Sequence, residues 1–168
     1  MTTTFTSASA AKYLRSLEEE KTLALAREGE NSTYLLAAGE ECDPPEYDYA
    51  QTRARVADID AKALAVRHAL HLFNNSEVLP GSGMTIDEAL IRLAMMSKER
   101  VRLGRLRNAQ PKRRVTGRYS SSPLVEHEYA NYDVTLAERD YVELCGRIAE
   151  LQLEIDLVNQ TRTFEVDL

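Results

Sequence analysis

The chain has 168 residues and a mass of 18.9 kDa, the size of one domain, which excludes a multidomain enzyme. Apolar residues make up 43% and charged residues 29%, so the chain can bury a core and does not have the composition of a disordered tail. The formal charge of −6 and the pI of about 5.2 argue against a protein whose whole surface binds nucleic acid.

The first half of the chain predicts two long helices. Apolar residues three and four positions apart predict the first over residues 7–28. Residues 29–39 are predicted as a connection with a short extended piece. Asp43-Pro44-Pro45-Glu46 is a typical helix start, and it predicts a second helix over residues 46–73. The apolar positions of this helix follow the 3-4 spacing of paired helices: Val56, Ile59, Ala63, Val66, Leu70 and Phe73.

The second half predicts a third helix and a small β element. Thr85 and Glu88 form a capping box that opens a helix over residues 85–108. The apolar stripe of this helix is Ile86, Leu90, Leu93 and Met96. Two Val-, Thr- and Tyr-rich runs joined by Ser120-Ser121-Ser122-Pro123 predict a β-hairpin within residues 113–134.

A fourth helix is predicted over residues 135–160, with Thr135 and Glu138 as its capping box. It carries the most regular heptad spacing in the chain: Ala137, Tyr141, Leu144, Ile148, Leu151, Ile155 and Val158. Residues 161–166 alternate in polarity, which predicts one more short strand that pairs with the hairpin.

These elements predict a mostly all-α fold over a single domain, residues 1–168. Long antiparallel helical hairpins would form a four-helix, coiled-coil-like bundle with a small β-hairpin appendage. The second and fourth helices each show a second apolar line, formed by Leu64 and Leu72 on one and by Leu136, Val142, Leu153 and Leu157 on the other. One partner helix cannot cover both lines, and leaving one in water would cost several kcal/mol. We therefore predict a homo-oligomer, with a monomeric bundle that buries both lines as the alternative.

Positive charge is concentrated in residues 98–118, which hold nine cations and one acid. This segment carries +8 and the remainder of the chain −14. Such a segment can collect phosphates or an acidic protein surface, and Tyr119, Tyr129 and Tyr132 could stack on nucleic-acid bases. The candidate anion-binding residues are Arg100, Arg102, Arg105, Arg107, Lys112, Arg113, Arg114 and Arg118. The alternative is that the cations meet the acidic fourth helix of the same or a neighbouring subunit, through Glu138, Asp140, Glu143, Glu150, Glu154 and Asp156.

His68 and His71, three residues apart on the second helix, could offer two nitrogens to a metal ion if another helix or subunit supplied further ligands, such as His127 or Glu128. A purely structural role is the alternative. Gly81-Ser82-Gly83 precedes a helix N-terminus, where anions are favoured, but it lacks the Lys-Ser/Thr of a phosphate-binding loop and predicts a turn and cap. No catalytic motif is present, so we predict no catalytic residue and no cofactor, and we do not expect an enzyme.

Four short segments resemble a bacterial family of small helical proteins that carries the label septicolysin. They are Asn74-Asn75-Ser76, the helix start Met84 to Leu90, the run Tyr129 to Val134, and the run Glu154 to Thr161. The resemblance covers residues 10–160 and implies a small helical protein with no established catalytic residues. Although the label suggests a cytolysin, the sequence shows neither a signal peptide nor a membrane-spanning stretch.

Cys42 and Cys145 lie far apart without a metal or redox spacing, which predicts free thiols in a reducing compartment. We therefore expect a soluble, cytoplasmic protein without a membrane partner. Its most favoured function is structural or interaction-mediating, as a homo-oligomer. The alternatives are anion or nucleic-acid binding through residues 98–118, and a metal-dependent or enzymatic site built between subunits.

Overall fold

The computed structural model describes residues 1–115 and 125–168. In chain order they form the strand β1 (Thr2–Thr6), the helices α1 (Ser7–Asn31), α2 (Tyr49–Ser76) and α3 (Ile86–Arg107), the strands β2 (Lys112–Arg114) and β3 (His127–Tyr129), the helix α4 (Val134–Thr161) and the strand β4 (Thr163–Asp167). The fold is thus mostly helical with a small β appendage, as the sequence predicts. The chain divides into two compact units, residues 1–77 with 157–168 and residues 78–156.

In the first unit, α1 and α2 pack as an antiparallel hairpin. The predicted apolar faces are buried, with Ala10, Leu17 and Ala24 on α1 and Ile59, Val66 and Phe73 on α2 at most 8% exposed. Ion pairs flank this seam: the Lys21 ammonium lies 2.7 Å from Asp60, and the Arg55 guanidinium lies 2.9 Å from Glu20. The 3-4 spacing of the apolar residues therefore gives the pairing that it predicts.

The start of α2 differs from the prediction. Asp48 caps the helix, because its Oδ1 accepts a hydrogen bond of 3.0 Å from the Gln51 amide, whereas Asp43 lies outside the helix. The Tyr47 hydroxyl donates a 2.7 Å hydrogen bond to Glu28 at the end of α1, and this bond raises the pKa of Tyr47 to about 12. This hydrogen bond holds Tyr47 against α1, one residue before Asp48, the cap of α2. α1 continues through Asn31, three residues beyond its predicted end, and no strand is formed in the connection between α1 and α2.

The strand predicted at residues 161–166 exists as β4, but its predicted pairing with the hairpin is wrong. It pairs antiparallel with β1, from Thr2 opposite Asp167 to Thr6 opposite Thr163. Phe5 and Val166 of this sheet are buried with Ala10 and Val66 in one core cluster. Two segments from opposite ends of the sequence thereby cover the end of the α1–α2 hairpin.

In the second unit, Thr85 and Glu88 form the predicted capping box of α3. The buried residues of α3 are Ile86, Ala89, Met96 and Leu103, whereas Leu90 of the predicted stripe is 45% exposed. On α4 the whole predicted heptad is buried except Tyr141, which is half-buried. Asp133, not Thr135, caps α4, because its carboxylate accepts from the amides of Thr135 and Leu136.

The predicted hairpin is present. Within residues 1–115 and 125–168, its paired strands are Lys112–Arg114 and His127–Tyr129, with Arg113 opposite Glu128. Residues 130–133 form the turn into α4 rather than strand. The predicted hairpin loop, together with Arg118 and Tyr119, lies outside the described residues.

Candidate functional site

The outward face of α2 carries a second row with heptad spacing. Positions 50, 54, 57, 61, 64, 68 and 71 are four and three apart and lie opposite the buried seam. They are occupied by Ala50, Ala54, Ala57, Ala61, Leu64, His68 and His71, and all are exposed. We call these residues the α2 row. The sequence analysis identified Leu64 on this face but not the alanines. Their heptad spacing is the signal that could have revealed them.

The outward face of α4 carries a shorter row of the same kind, which we call the α4 row. It consists of Val142, Gly146, Ala149 and Leu153, spaced four, three and four apart. Val142 is 58% exposed and Leu153 70% exposed, and a side chain at Gly146 would meet no atom within 4 Å. The other residues of the predicted second lines, Leu72, Leu136 and Leu157, are also exposed.

Within the basic segment, three arginines are neutralised by local acids. Arg107 pairs with Glu138 of α4 at 3.1 Å, and its guanidinium carbon lies 3.9 Å from the centre of the Tyr141 ring. Arg102 pairs with Glu99 on the same helix, which lowers the pKa of Glu99 and raises that of Arg102. Arg113 pairs across the hairpin with Glu128. Only the first of these pairs uses the acidic fourth helix.

Five further cations of the segment lie within the described residues and have no ion-pair partner among residues 1–115 and 125–168. They are Lys98, Arg100, Arg105, Lys112 and Arg114, and all five are exposed. Lys112 instead places its ammonium 5.4 Å from the centre of the Tyr129 ring. The folded segment therefore keeps several positive charges available to an anionic partner.

A cavity of about 560 Å³ lies between the end of α3, the hairpin and the turn into α4. We call it the hairpin pocket. Its lining combines the aromatic rings of Tyr129 and Tyr132 with three side-chain amides and the Arg113–Glu128 pair. The amides are those of Asn108, Gln110 and Asn131. Sequence reasoning identified the tyrosines but not the amides, because side-chain amides in turns are common and carry no functional signal alone.

His68 and His71 are both exposed on α2, at the end of the α2 row. Among the described residues, no group of three or more His, Cys, Asp or Glu side chains is placed to hold a metal ion. Cys42 is an exposed free thiol and Cys145 a half-buried one.

The Gly81-Ser82-Gly83 turn holds an anion from the chain itself. The amides of Gly81 and Ser82 both donate to the Glu154 carboxylate, the second at 2.9 Å. Partial burial of Glu154 acts to raise its pKa, but these amide hydrogen bonds outweigh it, and the pKa lies below its ordinary value. The turn lines a cavity of about 500 Å³ with Arg92, Arg147 and Glu150.

No helix within the described parts of the chain combines the length and the apolar character needed to cross a bilayer.

By its architecture the chain falls in the class of mostly helical proteins with small antiparallel β additions. No protein-family model and no curated protein matches it. Among solved structures it is similar to the crystal structure of a functionally unknown conserved protein from Corynebacterium diphtheriae. The TM-score is 0.61 and the sequence identity 15%, over 98% of this chain and 100% of that chain. At this identity the likeness shows a shared fold alone.

Proposed function

We propose that the protein is a structural or interaction-mediating homo-oligomer whose copies pair through the α2 row. The observation that carries the proposal is that this row contains no charged residue from Ala50 to Leu64, although every position is exposed. The solvent face of a helix is normally charged or polar, whereas heptad spacing of small and apolar residues suits a partner helix.

The small size of the alanines favours a helix as the partner. Without large side chains between them, two helix axes approach to the lower end of the usual range of about 8–10 Å. Leu64 is 70% exposed and would be covered by such a contact. Burying a leucine side chain contributes about 1.5–3 kcal/mol.

The charges beside the α2 row favour a second copy in antiparallel orientation. Arg53 and Asp60 lie seven residues apart along one edge of the row. A two-fold pairing that sets Ala50 opposite Ala61 and Ala54 opposite Ala57 brings Arg53 of each copy close to Asp60 of the other. Arg53 has no ion-pair partner among residues 1–115 and 125–168 of one copy, so it is available for this contact. Asp60 already pairs with Lys21 of its own copy, so its 55% exposed carboxylate would be shared between Lys21 and Arg53 of the second copy.

Ala57→Glu tests the proposal, since it places a carboxylate in the middle of the row. We expect the unchanged protein to show a mass in light scattering that is a multiple of 18.9 kDa. The variant should have a smaller mass, with its helical circular dichroism unchanged, because an exposed alanine of one copy is replaced without loss of core packing.

The matched control is Ala8→Glu, which makes the same change at an exposed position on α1. It should keep the mass of the unchanged protein. A particle of 18.9 kDa for the unchanged protein at the highest concentration measured would refute self-assembly. An assembly that survives Ala57→Glu intact would refute the α2 row as its interface.

A further inference from the structure

We propose that the hairpin pocket binds a base of single-stranded nucleic acid, with the neighbouring free cations holding its phosphates. This goes beyond self-assembly and uses other residues. The pocket brings together an exposed aromatic ring, side-chain amides and positive charge. A nucleotide offers the complementary groups: a planar base, hydrogen-bonding base edges and a phosphate.

Two hydrogen bonds fix the segments that form the walls of the pocket. The Tyr132 hydroxyl donates a 2.8 Å hydrogen bond to the Leu106 carbonyl, which fixes the turn before α4 to the last turn of α3. The Ala130 amide donates to the Pro111 carbonyl at 3.1 Å, which fixes the other side of the turn to β2. The lining residues are therefore positioned before a ligand arrives, and this lowers the entropic cost of binding.

Tyr129 supplies the stacking surface. Tyr129 is 62% exposed although it belongs to a paired strand, and Tyr132 is 40% exposed. Stacking of a base on an aromatic side chain is a main source of affinity for single strands and tolerates every base. Bases inside a duplex are already stacked and cannot enter a concave pocket, so the geometry favours a single strand.

The amides and the cations supply the polar contacts. Asn108, Gln110 and Asn131 each offer both donors and an acceptor, which can pair with the edge of an unstacked base. Arg105 and Arg114 are exposed without an ion-pair partner among the described residues, and Lys112 lies over the Tyr129 ring. Arg113 is already neutralised by Glu128. The cations left for phosphate contacts are therefore Arg105, Lys112 and Arg114, which flank the lining residues in the sequence and do not line the pocket themselves.

Fluorescence anisotropy with labelled oligonucleotides tests the proposal on the full chain. The probes are a twelve-nucleotide thymidine strand and a twelve-base-pair duplex at about 50 mM salt, where counterion release favours binding most. We expect the single strand to bind at least about tenfold more tightly than the duplex. Tyr129→Leu should weaken single-strand binding about tenfold or more, in line with the loss of one stacking contact. Tyr129→Phe, which keeps the ring, should retain it.

The matched control is Tyr49→Leu, because Tyr49 is 61% exposed but lies at the start of α2. It should leave both affinities unchanged. Absence of binding to either probe overturns the proposal, and so does equal binding of strand and duplex, which would indicate a surface that reads phosphate alone. An oligo-aspartate peptide that competes as well as the thymidine strand would also overturn it. Particle mass is measured separately, so failure here is distinct from failure of self-assembly.

Discussion

At the level of single residues, Glu154 shows how a side chain of one helix organises the start of another. Its carboxylate accepts hydrogen bonds from two amides of the turn that precedes α3. Gly81 allows this approach, because a Cβ at that position would lie 2.8 Å from the carboxylate oxygen. The positive end of α3 and the free amides of its leading turn make the site suited to an anion.

We predict that Glu154→Gln destabilises the protein at neutral pH and that the loss diminishes in acid. A carboxylate whose pKa is lowered in the folded state stabilises that state above the unfolded pKa of about 4.3. This contribution is lost as the pH falls through the folded pKa. Thermal unfolding should show a lower Tm for the variant at pH 7, by about 2–4 °C for each kcal/mol lost, and a difference that shrinks as the pH falls to 3.

Glu150→Gln is the control for this change, since Glu150 lines the same cavity and has no hydrogen bond to the turn among the described residues. It should behave like the unchanged protein at both values of pH. A Tm difference for Glu154→Gln that persists undiminished at pH 3 would show that the ionised carboxylate is not the stabilising species.

The sequence alone predicts the contact between Glu154 and the turn only in part. Gly81-Ser82-Gly83 is recognisable as a turn before a helix, and the acidity of α4 is plain. The bond between them joins residues 72 positions apart, and no local pattern encodes it. The same holds for the hairpin pocket: Tyr129 and Tyr132 are recognisable in the sequence as aromatics near the basic segment, but their proximity to Asn108 depends on how α3 and the hairpin are packed.

At the level of elements, the terminal sheet is the least local part of the fold. β1 and β4 are paired along five residues each, although the whole chain separates them. Phe5 of β1 lies with its ring centre 5.3 Å from that of Tyr13 and 6.4 Å from that of Phe164. Phe164 in turn contacts Phe73 of α2, with ring centres 5.0 Å apart. The sheet therefore closes the end of the α1–α2 core with aromatic side chains.

We predict that Phe5→Ala costs about 3 kcal/mol of unfolding free energy, the usual penalty for removing a buried aromatic ring. Phe5 is 7% exposed, so the substitution leaves a cavity in the core cluster. Urea unfolding followed by circular dichroism measures the change. Thr4→Ala, on the exposed face of the same strand, should change the free energy by less than about 0.5 kcal/mol. Equal effects of the two substitutions would mean that β1 does not contribute to the core.

The elements that sequence reasoning predicted well are those whose signal is periodic and long. Each of the four predicted helices lies within three residues of the observed bounds at both ends. β1 was missed because five residues are too few to establish a period and its partner lies at the other end of the chain. The start of α2 was misplaced because Asp43 and Asp48 can both cap a helix. The hydrogen bond from Tyr47 to Glu28 favours Asp48, because it holds the residue before Asp48 against another helix.

At the level of the whole molecule, both proposals follow from where charged and apolar side chains are exposed. The chain carries −6 overall, yet five of its cations in the basic segment lie exposed without an ion-pair partner among residues 1–115 and 125–168. Apolar residues lie on the outward faces of α2 and α4, away from that segment in the sequence. The residues that we propose for self-assembly therefore do not include the positive segment. Substitutions can change self-assembly and nucleic-acid binding separately.

Because α2 and α4 each carry an exposed row, we can predict how the particle mass changes when either row is altered. If copies associate through both, a substitution in one row leaves the other intact, so Ala57→Glu alone and Leu153→Glu alone should each give a particle between the full assembly and one chain. The double variant should give 18.9 kDa by light scattering, because a carboxylate at the centre of each row opposes burial on both faces. If Leu153→Glu keeps the full mass while Ala57→Glu already gives single chains, the α4 row takes no part. The assembly is then a dimer built on α2 alone.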